Sequence, residues 1–339
     1  LLAYVIPALI SFFMDADYSQ AEIHNFSKDY FIPLAIIAVM SSLSLGQLKA
    51  IGWKPIVVFV AGSLFIAVFP VVLGLSLLDT DLVAETLIDQ AYWKGIPPIV
   101  GSWIGGSTSQ LVLKELVECP ENIFLTVLVM DNILVNDWTI LMFQSIKKST
   151  FLNKHFKITD IAMPEDVRVE TKNPISPLLC GLILIATVVS CNLIIDSFIG
   201  KVVLLSFLGL ALSNFIPKWN FKFTLKIGSI LIIIVMAVLG LKLQFATLGF
   251  NTSFLGFLVI WLIGHFVFMV VIAKLLNVNM AWVPIASMAN VGGIATAPAV
   301  TAAYEKKWMP HAIVLAILSM ATGTFWGMLT IWMLNVFLI

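Results

Sequence analysis

A carboxylate lies in the middle of an apolar stretch of this sequence, where ionisable side chains are unusual. Asp131 stands within residues 121–146, among Val, Leu, Ile and Met. An ionisable group inside a membrane span costs about 3 kcal/mol on insertion scales, so its presence indicates a function. Asn132 and Asn136 are i,i+4 neighbours beside it, and carboxylate and amide oxygens suit a hard cation such as Na⁺, or H⁺. Asp137, nearer the helix end, is a second candidate. In the alternative interpretation, Asp131 pairs with a lysine or caps a kink.

Two other segments combine glycine pairs, prolines and small polar side chains. Residues 95–118 contain Gly105 and Gly106, and residues 281–304 contain Gly292 and Gly293. Glycine and proline are poor helix formers, so we expect a helix break in each segment. Beside the breaks stand the polar side chains of Ser107, Thr108, Gln110, Ser287, Asn290 and Thr296.

Such breaks have a specific meaning inside a membrane. Backbone can leave a helix at membrane depth only where protein or a water-filled cavity satisfies its N–H and C=O groups. Two breaks that approach from opposite faces would bring helix ends, free carbonyls and hydroxyls together at the midplane, which suits a small ion or an anionic group. The alternative is that these glycines and hydroxyls only allow close helix packing.

The composition excludes a water-soluble protein. Of 339 residues, 60% are apolar and 11% charged, and 19 basic residues balance 19 acidic ones. Ordinary soluble domains have about 45–50% apolar and about 25% charged residues. A soluble enzyme, a disordered chain and a basic nucleic-acid binder are therefore excluded. No nucleotide-binding or hydrolase motif is present, so we predict that the chain is not an enzyme and needs no cofactor beyond a coupling ion.

Eleven apolar stretches account for nearly the whole chain. They are continuously apolar, as membrane helices are, and do not alternate as barrel strands do. The sequence predicts an all-α, multi-pass protein of the cell (inner) membrane, with the lipid bilayer as its surroundings. Because the chain begins inside an apolar run, we interpret its start as a trimmed or mature end and not as a signal peptide. The stretches are 1–14, 31–47, 55–78, 95–118, 121–146, 175–197, 201–217, 225–245, 253–276, 281–304 and 309–338.

An ordered set of matches indicates an internal repeat. Residues 36–45 align with residues 232–241, and the two glycine pairs fall opposite each other. We predict a first repeat over 1–146, a cytoplasmic link over 147–174, and a linker span with the second repeat over 175–339. Residues 319–322 (Ser-Met-Ala-Thr) occupy the position equivalent to Asp131, so any ion site is asymmetric.

The placement of charge bears on topology. Basic links mark the cytoplasmic side, but they cannot all lie there if every stretch crosses. The conflict disappears if 95–118 and 281–304 are re-entrant, which also inverts the second repeat relative to the first. Spans with an unwound middle, or kinked helices, remain open alternatives.

Three motifs together resemble a known family. They are Gly-Ser-Trp-Ile-Gly-Gly-Ser at 101–107, Met-Asp-Asn at 130–132 and Ala-Asn-Val-Gly-Gly-Ile-Ala-Thr-Ala at 289–297. As a set they resemble the YjcL-like family of uncharacterised bacterial membrane proteins (domain of unknown function 819). That family is similar in plan to cation/proton antiporters and bile-acid sodium symporters, which move a core domain against a scaffold. The resemblance implies a site at Gly105, Gly106, Asp131, Asn290, Gly292, Gly293 and Thr296, and broken segments that usually cross the membrane.

These observations lead to one functional expectation. We predict an elevator-type secondary transporter that exchanges Na⁺ or H⁺ by alternating access and forms a homodimer. The alternatives are Na⁺- or H⁺-coupled symport of a small organic anion, or a non-transporting membrane scaffold.

Overall fold

The computed structural model of the chain describes residues 21–42, 51–77, 82–161, 173–241 and 251–339, with scattered positions before residue 21 and Thr80. This part of the chain is helical and contains no strand. Most of the first apolar stretch (1–14), and the ends of the second and eighth (43–47 and 242–245), lie outside the described residues. The principal helices are α1 (Ile32–Met40), α2 (Trp53–Ser76), α3 (Ile96–Leu116), α4 (Glu121–Lys147), α5 (Ser149–His155), α6 (Pro177–Ile194), α7 (Phe198–Phe215), α8 (Phe221–Gly240), α9 (Thr252–Leu275), α10 (Trp282–Val291), α11 (Gly293–Ala302) and α12 (Met309–Phe337).

The long helices confirm an all-helical membrane protein. Among the described residues, five helical segments are long and apolar enough to cross a membrane: α2, α4, α6, α9 and Lys306–Phe337, which contains α12. The stretches 95–118 and 281–304 instead form interrupted helices, α3 with its break at Gly106 and α10 followed by α11. The sequence could not separate these cases because a run of two short apolar helices has the same hydropathy as one long helix.

The chain folds as two compact units that interleave in sequence. Unit 1 comprises Leu1–Leu45, Glu118–Val129 and Glu170–Gly249, and unit 2 comprises Gly46–Val117, Met130–Val169 and Phe250–Ile339. This division follows compactness, whereas the predicted repeats follow sequence similarity, so the repeat boundaries stay a prediction.

Unit 1 is organised around α1, which packs against α7 and α8. The Trp219 indole N–H donates to the Ser41 carbonyl at 2.9 Å, which fixes the end of α1 beside the start of α8. Lys201 Nζ lies 3.7 Å from an Asp29 carboxylate oxygen. These contacts connect the segments at the two ends of α1 to neighbouring elements of unit 1.

In unit 2, α3 reverses direction halfway along its length. At Gly106 the backbone has φ 69° and ψ −167°, a conformation essentially restricted to glycine. A Cβ added to Gly101 would lie 2.7–2.8 Å from backbone atoms of Ser109 and Gln110. Eight residues along a straight helix span ~12 Å, so the arms 96–105 and 107–116 must run antiparallel. We call this element hairpin 1.

The helices α10 and α11 form a second reversal, hairpin 2. Gly293 begins α11 with φ 67°. The Asn279 side-chain amide, before α10, donates to the Tyr304 hydroxyl, after α11, at 3.2 Å. The Trp282 and Trp308 rings stack with their centroids 4.9 Å apart. A straight helix of about 20 residues would separate these ends by ~30 Å, so the chain folds back between them.

The two hairpins open toward opposite ends of unit 2. Asn251, which caps the start of α9, donates to Gln90 at 3.2 Å, shortly before hairpin 1 begins. Hairpin 2 begins just after the other end of α9, at Trp282. Because α9 has 24 residues and is ~36 Å long, the bases of the hairpins are separated by its length. Each arm has about ten residues and is ~15 Å long, half of a ~30 Å bilayer core.

Candidate functional site

Asp131 on α4 binds three donors from hairpin 1. Its side chain is buried, with the residue 4% exposed. Oδ1 accepts from the Trp103 indole N–H at 2.7 Å, and Oδ2 accepts from the Ser102 hydroxyl at 2.5 Å and the Gln110 amide at 3.5 Å. Trp103 and Ser102 belong to the first arm and Gln110 to the second. The carboxylate therefore ties both arms to α4 through neutral donors. Hydrogen bonds to a charged acceptor are worth about 1.5–3 kcal/mol at the short distances of Trp103 and Ser102, and the Gln110 contact at 3.5 Å is weaker.

A second polar cluster joins both hairpins to α2 and α12. The Ser319 Oγ of α12 contacts the Ile104 carbonyl oxygen of hairpin 1 and lies 3.0 Å from Asn290 Oδ1 of hairpin 2. The Ser63 Oγ of α2 also lies 3.0 Å from Asn290 Oδ1, and Asn290 Nδ2 lies 3.5 Å from the Phe59 carbonyl oxygen. Ser63, Asn290 and Ser319 are each at most 1% exposed. We call the oxygens of Ser63, Ile104, Asn290 and Ser319 the oxygen cluster.

Hairpin 1 lies directly against α12 at this level. A Cβ on Gly323 would overlap the backbone N and Cα of Gly105, so these two backbones touch without side chains between them. The Thr324 hydroxyl donates to Ser109 Oγ at 3.0 Å beside this contact. The close approach fixes the position of the hairpin tip relative to Ser319, one turn earlier on α12.

The first turn of the second arm of each hairpin contains a threonine whose hydroxyl is unsatisfied. The Oγ1 atoms of Thr108 and Thr296 are buried and have no hydrogen-bond partner among the described residues. A buried hydroxyl without a partner is uncommon and is satisfied by a water or a ligand when one is present. Both threonines lie near helix N-termini, where the backbone dipole is positive.

A family model matches nearly the whole chain, including the two glycine pairs and Asp131. The family model described as "Protein of unknown function (DUF819)" matches residues 1–337. The chain belongs to the DUF819 family. Membership in DUF819 confirms the domain family predicted from the three motifs, whereas the YjcL-like name and the similarity to antiporters and symporters stay predictions. Neither a curated protein nor a solved structure matches the chain.

The geometry of this DUF819 chain brings several predicted site residues together. Gly105 and Gly106 form the tip of hairpin 1, and Gly292 and Gly293 form the tip of hairpin 2. Gln110 joins Asp131, and Asn290 reaches hairpin 1 through Ser319. Thr108 and Thr296 lie just beyond the two tips. The role of these residues as ligands stays a prediction.

Other predicted residues lie apart from these clusters. Asn136 and Asp137 are exposed, and the Asn136 amide donates to the Asn132 carbonyl at 2.8 Å within α4. Asn132 itself is only half-buried, and Ser107 is exposed at the tip of hairpin 1.

Ser287 belongs to a separate buried group in hairpin 2. Its hydroxyl accepts from the Trp138 indole N–H at 2.9 Å and lies 3.2 Å from His265 Nε2. Ser287 thereby connects α10 to α4 and α9 rather than to the tips.

Ser63 and Trp103 belong to these clusters although the sequence did not predict them as site residues. Ser63 follows Gly62 in an apolar helix, where a serine usually donates to its own backbone, so no pattern marks it. The sequence contained a signal for Ser319, because it occupies the position in the second repeat that Asp131 occupies in the first. Trp103 lies within the first family motif, but a tryptophan in a membrane helix does not by itself indicate a carboxylate partner.

Proposed function

We propose that this DUF819 protein is a secondary active transporter that moves Na⁺ or H⁺ across the cell membrane by alternating access. The observation that carries the proposal is the pair of half-length hairpins that open to opposite ends of unit 2 and meet the same residue, Ser319. A site reached from both ends through two movable hairpins is what alternating access requires.

The order of elements in unit 2 supports an inverted repeat. A long helix, a hairpin and another long helix occur as α2, hairpin 1 and α4, and again as α9, hairpin 2 and α12. Since the hairpins open to opposite ends, the second set runs in the opposite direction to the first. Internal duplication with inverted topology is typical of secondary transporters whose substrates bind near the bilayer midplane.

The charge of the site favours a cation. Asp131 supplies one carboxylate, and the first arms of both hairpins direct helix C-termini, which carry partial negative charge, toward Ile104 and Asn290. The Lys114 ammonium in hairpin 1 lies 3.1 Å from Glu115, which offsets its charge. A proton on Asp131 would remove an acceptor site for the donors from hairpin 1, which gives a physical route from proton binding to hairpin movement.

The charges at the two ends of unit 2 support an orientation. Lys54, Lys274 and Lys307 lie at the end where hairpin 2 opens, whereas Glu85 and Asp89 lie near the base of hairpin 1. By the positive-inside rule, hairpin 2 opens to the cytoplasm and hairpin 1 to the opposite side. In this proposal the protein is a multi-pass protein of the inner membrane.

The division into units supports an elevator arrangement. Unit 2 contains both hairpins, Asp131 and the oxygen cluster, so it has all parts of a mobile core. Unit 1 would then be the scaffold and carry the homodimer contact. Elevator movement and dimerisation both remain part of the proposal.

One observation favours a second function, symport of a small organic anion. The unsatisfied hydroxyls of Thr108 and Thr296 stand at positive helix ends, a setting that suits a carboxylate. In this version Na⁺ or H⁺ drives uptake of the anion, and the cation site is unchanged.

Flux into proteoliposomes tests the proposal. Purified protein is reconstituted with a pH-sensitive dye inside, and ²²Na⁺ uptake is measured with an imposed proton gradient. We expect gradient-dependent ²²Na⁺ or proton flux that falls at least about tenfold in Asp131→Asn. The matched control is Asp137→Asn, which changes an exposed carboxylate on the same helix and should retain flux. Absence of flux in the wild type, with and without organic acids, would leave the scaffold interpretation.

A further inference from the structure

We infer that the oxygen cluster is a binding site for a small monovalent cation, Na⁺, and that its ligands are neutral oxygens and not Asp131. The ligands are the hydroxyls of Ser63 and Ser319, Oδ1 of Asn290 and the carbonyl oxygen of Ile104. This inference rests on the proposed function, because it assigns the coupling-ion site of the same unit.

The oxygen cluster has more oxygen–oxygen contacts than hydroxyl protons. Four oxygen–oxygen contacts occur in this group: Ser63 with the Phe59 carbonyl at 3.2 Å, Ser63 with Asn290 Oδ1, Ser319 with Asn290 Oδ1, and Ser319 with the Ile104 carbonyl. A hydroxyl carries one proton, so the two serines provide two protons for four contacts. Each hydroxyl therefore faces two acceptor oxygens and donates to one of them at a time. The cluster gathers the lone pairs of four neutral oxygens from four elements in one buried place, where a cation would replace the hydroxyl protons as their partner.

The oxygen cluster lies at the C-terminal ends of two helices. The last carbonyls of a helix have no intrahelical partner. Ile104 stands two residues before the break at Gly106, at the end of the first arm, and its carbonyl oxygen contacts Ser319 Oγ of α12. Asn290 stands at the equivalent end of α10, next to Val291. The site thus receives the negative ends of two helix dipoles, from opposite directions.

The chemistry and spacing of the oxygens favour a small ion of single charge. The cluster contains hard, uncharged oxygens, and a divalent ion in a buried site normally requires carboxylates as ligands. The separations of 3.0 Å from Asn290 Oδ1 to each serine hydroxyl are hydrogen-bond distances, so an ion would replace these bonds, and oxygens this close must move apart less for Na⁺ than for the larger K⁺. These features favour Na⁺ over K⁺ and over Ca²⁺ or Mg²⁺.

The donors to Asp131 stand next to Ile104 in the sequence, but Asp131 has a different role from the oxygen cluster. Both of its carboxylate oxygens already accept from Trp103, Ser102 or Gln110. Ser102 and Trp103 immediately precede Ile104, so Asp131 holds the segment that presents the carbonyl oxygen. An ion ligated by Asp131 would have to displace these donors, whereas an ion in the oxygen cluster displaces none of them.

Direct binding of Na⁺ to the purified protein tests the inference. Equilibrium binding of ²²Na⁺ is measured in detergent, with choline chloride to hold ionic strength constant and K⁺, Li⁺ or Ca²⁺ as competitors. We expect saturable binding to the wild type that K⁺ and Ca²⁺ compete for poorly. Ser319→Ala and Ser63→Ala should each raise the Kd for Na⁺ by about tenfold or more, because each removes a ligand oxygen.

The matched control is Thr330→Val. Thr330 lies on α12, is fully buried and donates to the Ala67 carbonyl of α2 at 2.8 Å, so it connects the same two helices away from the cluster. Its Kd for Na⁺ should equal that of the wild type. Two serine variants on different helices keep the test decisive if one does not fold, as judged by gel filtration.

The outcomes separate this inference from the proposed function. Saturable Na⁺ binding that depends on Ser63 and Ser319 supports the site even if no flux is found. Proton flux in a protein that binds no Na⁺ overturns the site and leaves the transporter proposal standing. Equal Na⁺ affinity in the wild type and both serine variants, or an equal loss in Thr330→Val, also overturns it. Loss of binding in Asp131→Asn with retained binding in both serine variants would place the ion at the carboxylate instead.

Discussion

The tip of hairpin 1 provides a quantitative test of the reversal on which the site depends. Gly106 has φ 69° and ψ −167°, and a Cβ added there would meet no atom within 4 Å. The cost of Gly106→Ala is therefore backbone strain alone, about 1–3 kcal/mol for a side chain forced into this region. We expect the free energy of unfolding to fall by that amount. If the tip relieves the strain by moving, occupancy of the working conformation falls by about 5- to 150-fold, and flux falls with it.

The assay compares thermal unfolding midpoints in detergent for three alanine variants. Gly293→Ala, at φ 67°, should cost about 1–2 kcal/mol for the left-handed conformation. Gly256→Ala is the matched control, because Gly256 lies inside α9 with open space around it, and alanine should stabilise that helix by up to about 1 kcal/mol. An unfolding midpoint for Gly106→Ala at or above that of Gly256→Ala would refute the reversal at Gly106.

Three further substitutions test the packing around the hairpins. Gly323→Ala should cost about 3 kcal/mol, because its Cβ would overlap the backbone of hairpin 1, and thermal unfolding measures the loss. Trp103→Phe removes one donor to the buried carboxylate, so the free energy of unfolding should fall by about 1.5–3 kcal/mol and reconstituted flux should fall with it. Tyr304→Phe removes the hydroxyl that accepts from Asn279 at the base of hairpin 2; it should cost about 0.5–1.5 kcal/mol in thermal unfolding and leave flux nearly unchanged.

The sequence predicted the membrane class and the positions of the two breaks, and the placement of charge favoured re-entrant segments while unwound spans and kinked helices stayed open. Glycine and proline mark a break at Gly106 and near Gly292 whether the chain reverses or continues, because both outcomes need the same residues. The direction of the chain after a break depends on packing against α12 and on contacts such as Asn279 with Tyr304. Such contacts join residues that are far apart in sequence, so no local pattern reports them.

Helical periodicity explains which polar residues of α4 join the site. An α-helix turns by 100° per residue, so Asp137 points about 120° away from Asp131, and Asn136 about 140° away. When Asp131 faces hairpin 1, these side chains lie on other faces of α4, and both are exposed. The spacing of these residues along α4 therefore already indicated that they face away from Asp131. The contact between Ser63 and Asn290 depends instead on the packing of α2 against α10, which neither helix alone predicts.

Accessibility from the two membrane faces tests whether hairpin 2 re-enters. Single cysteines replace Lys274, before hairpin 2, and Lys307, after it, in a background without Cys119, Cys180 and Cys191. A third variant carries cysteine at Asp89, and all three positions are exposed. Because Asn279 and Tyr304 hold the ends of hairpin 2 together, a membrane-impermeant maleimide should label Lys274→Cys and Lys307→Cys from the same face. The length of α9 separates that face from Asp89→Cys, which should be labelled from the opposite one. If hairpin 2 instead crossed the bilayer, the two positions that flank it would be labelled from opposite faces, and a site reached through paired re-entrant hairpins would be untenable.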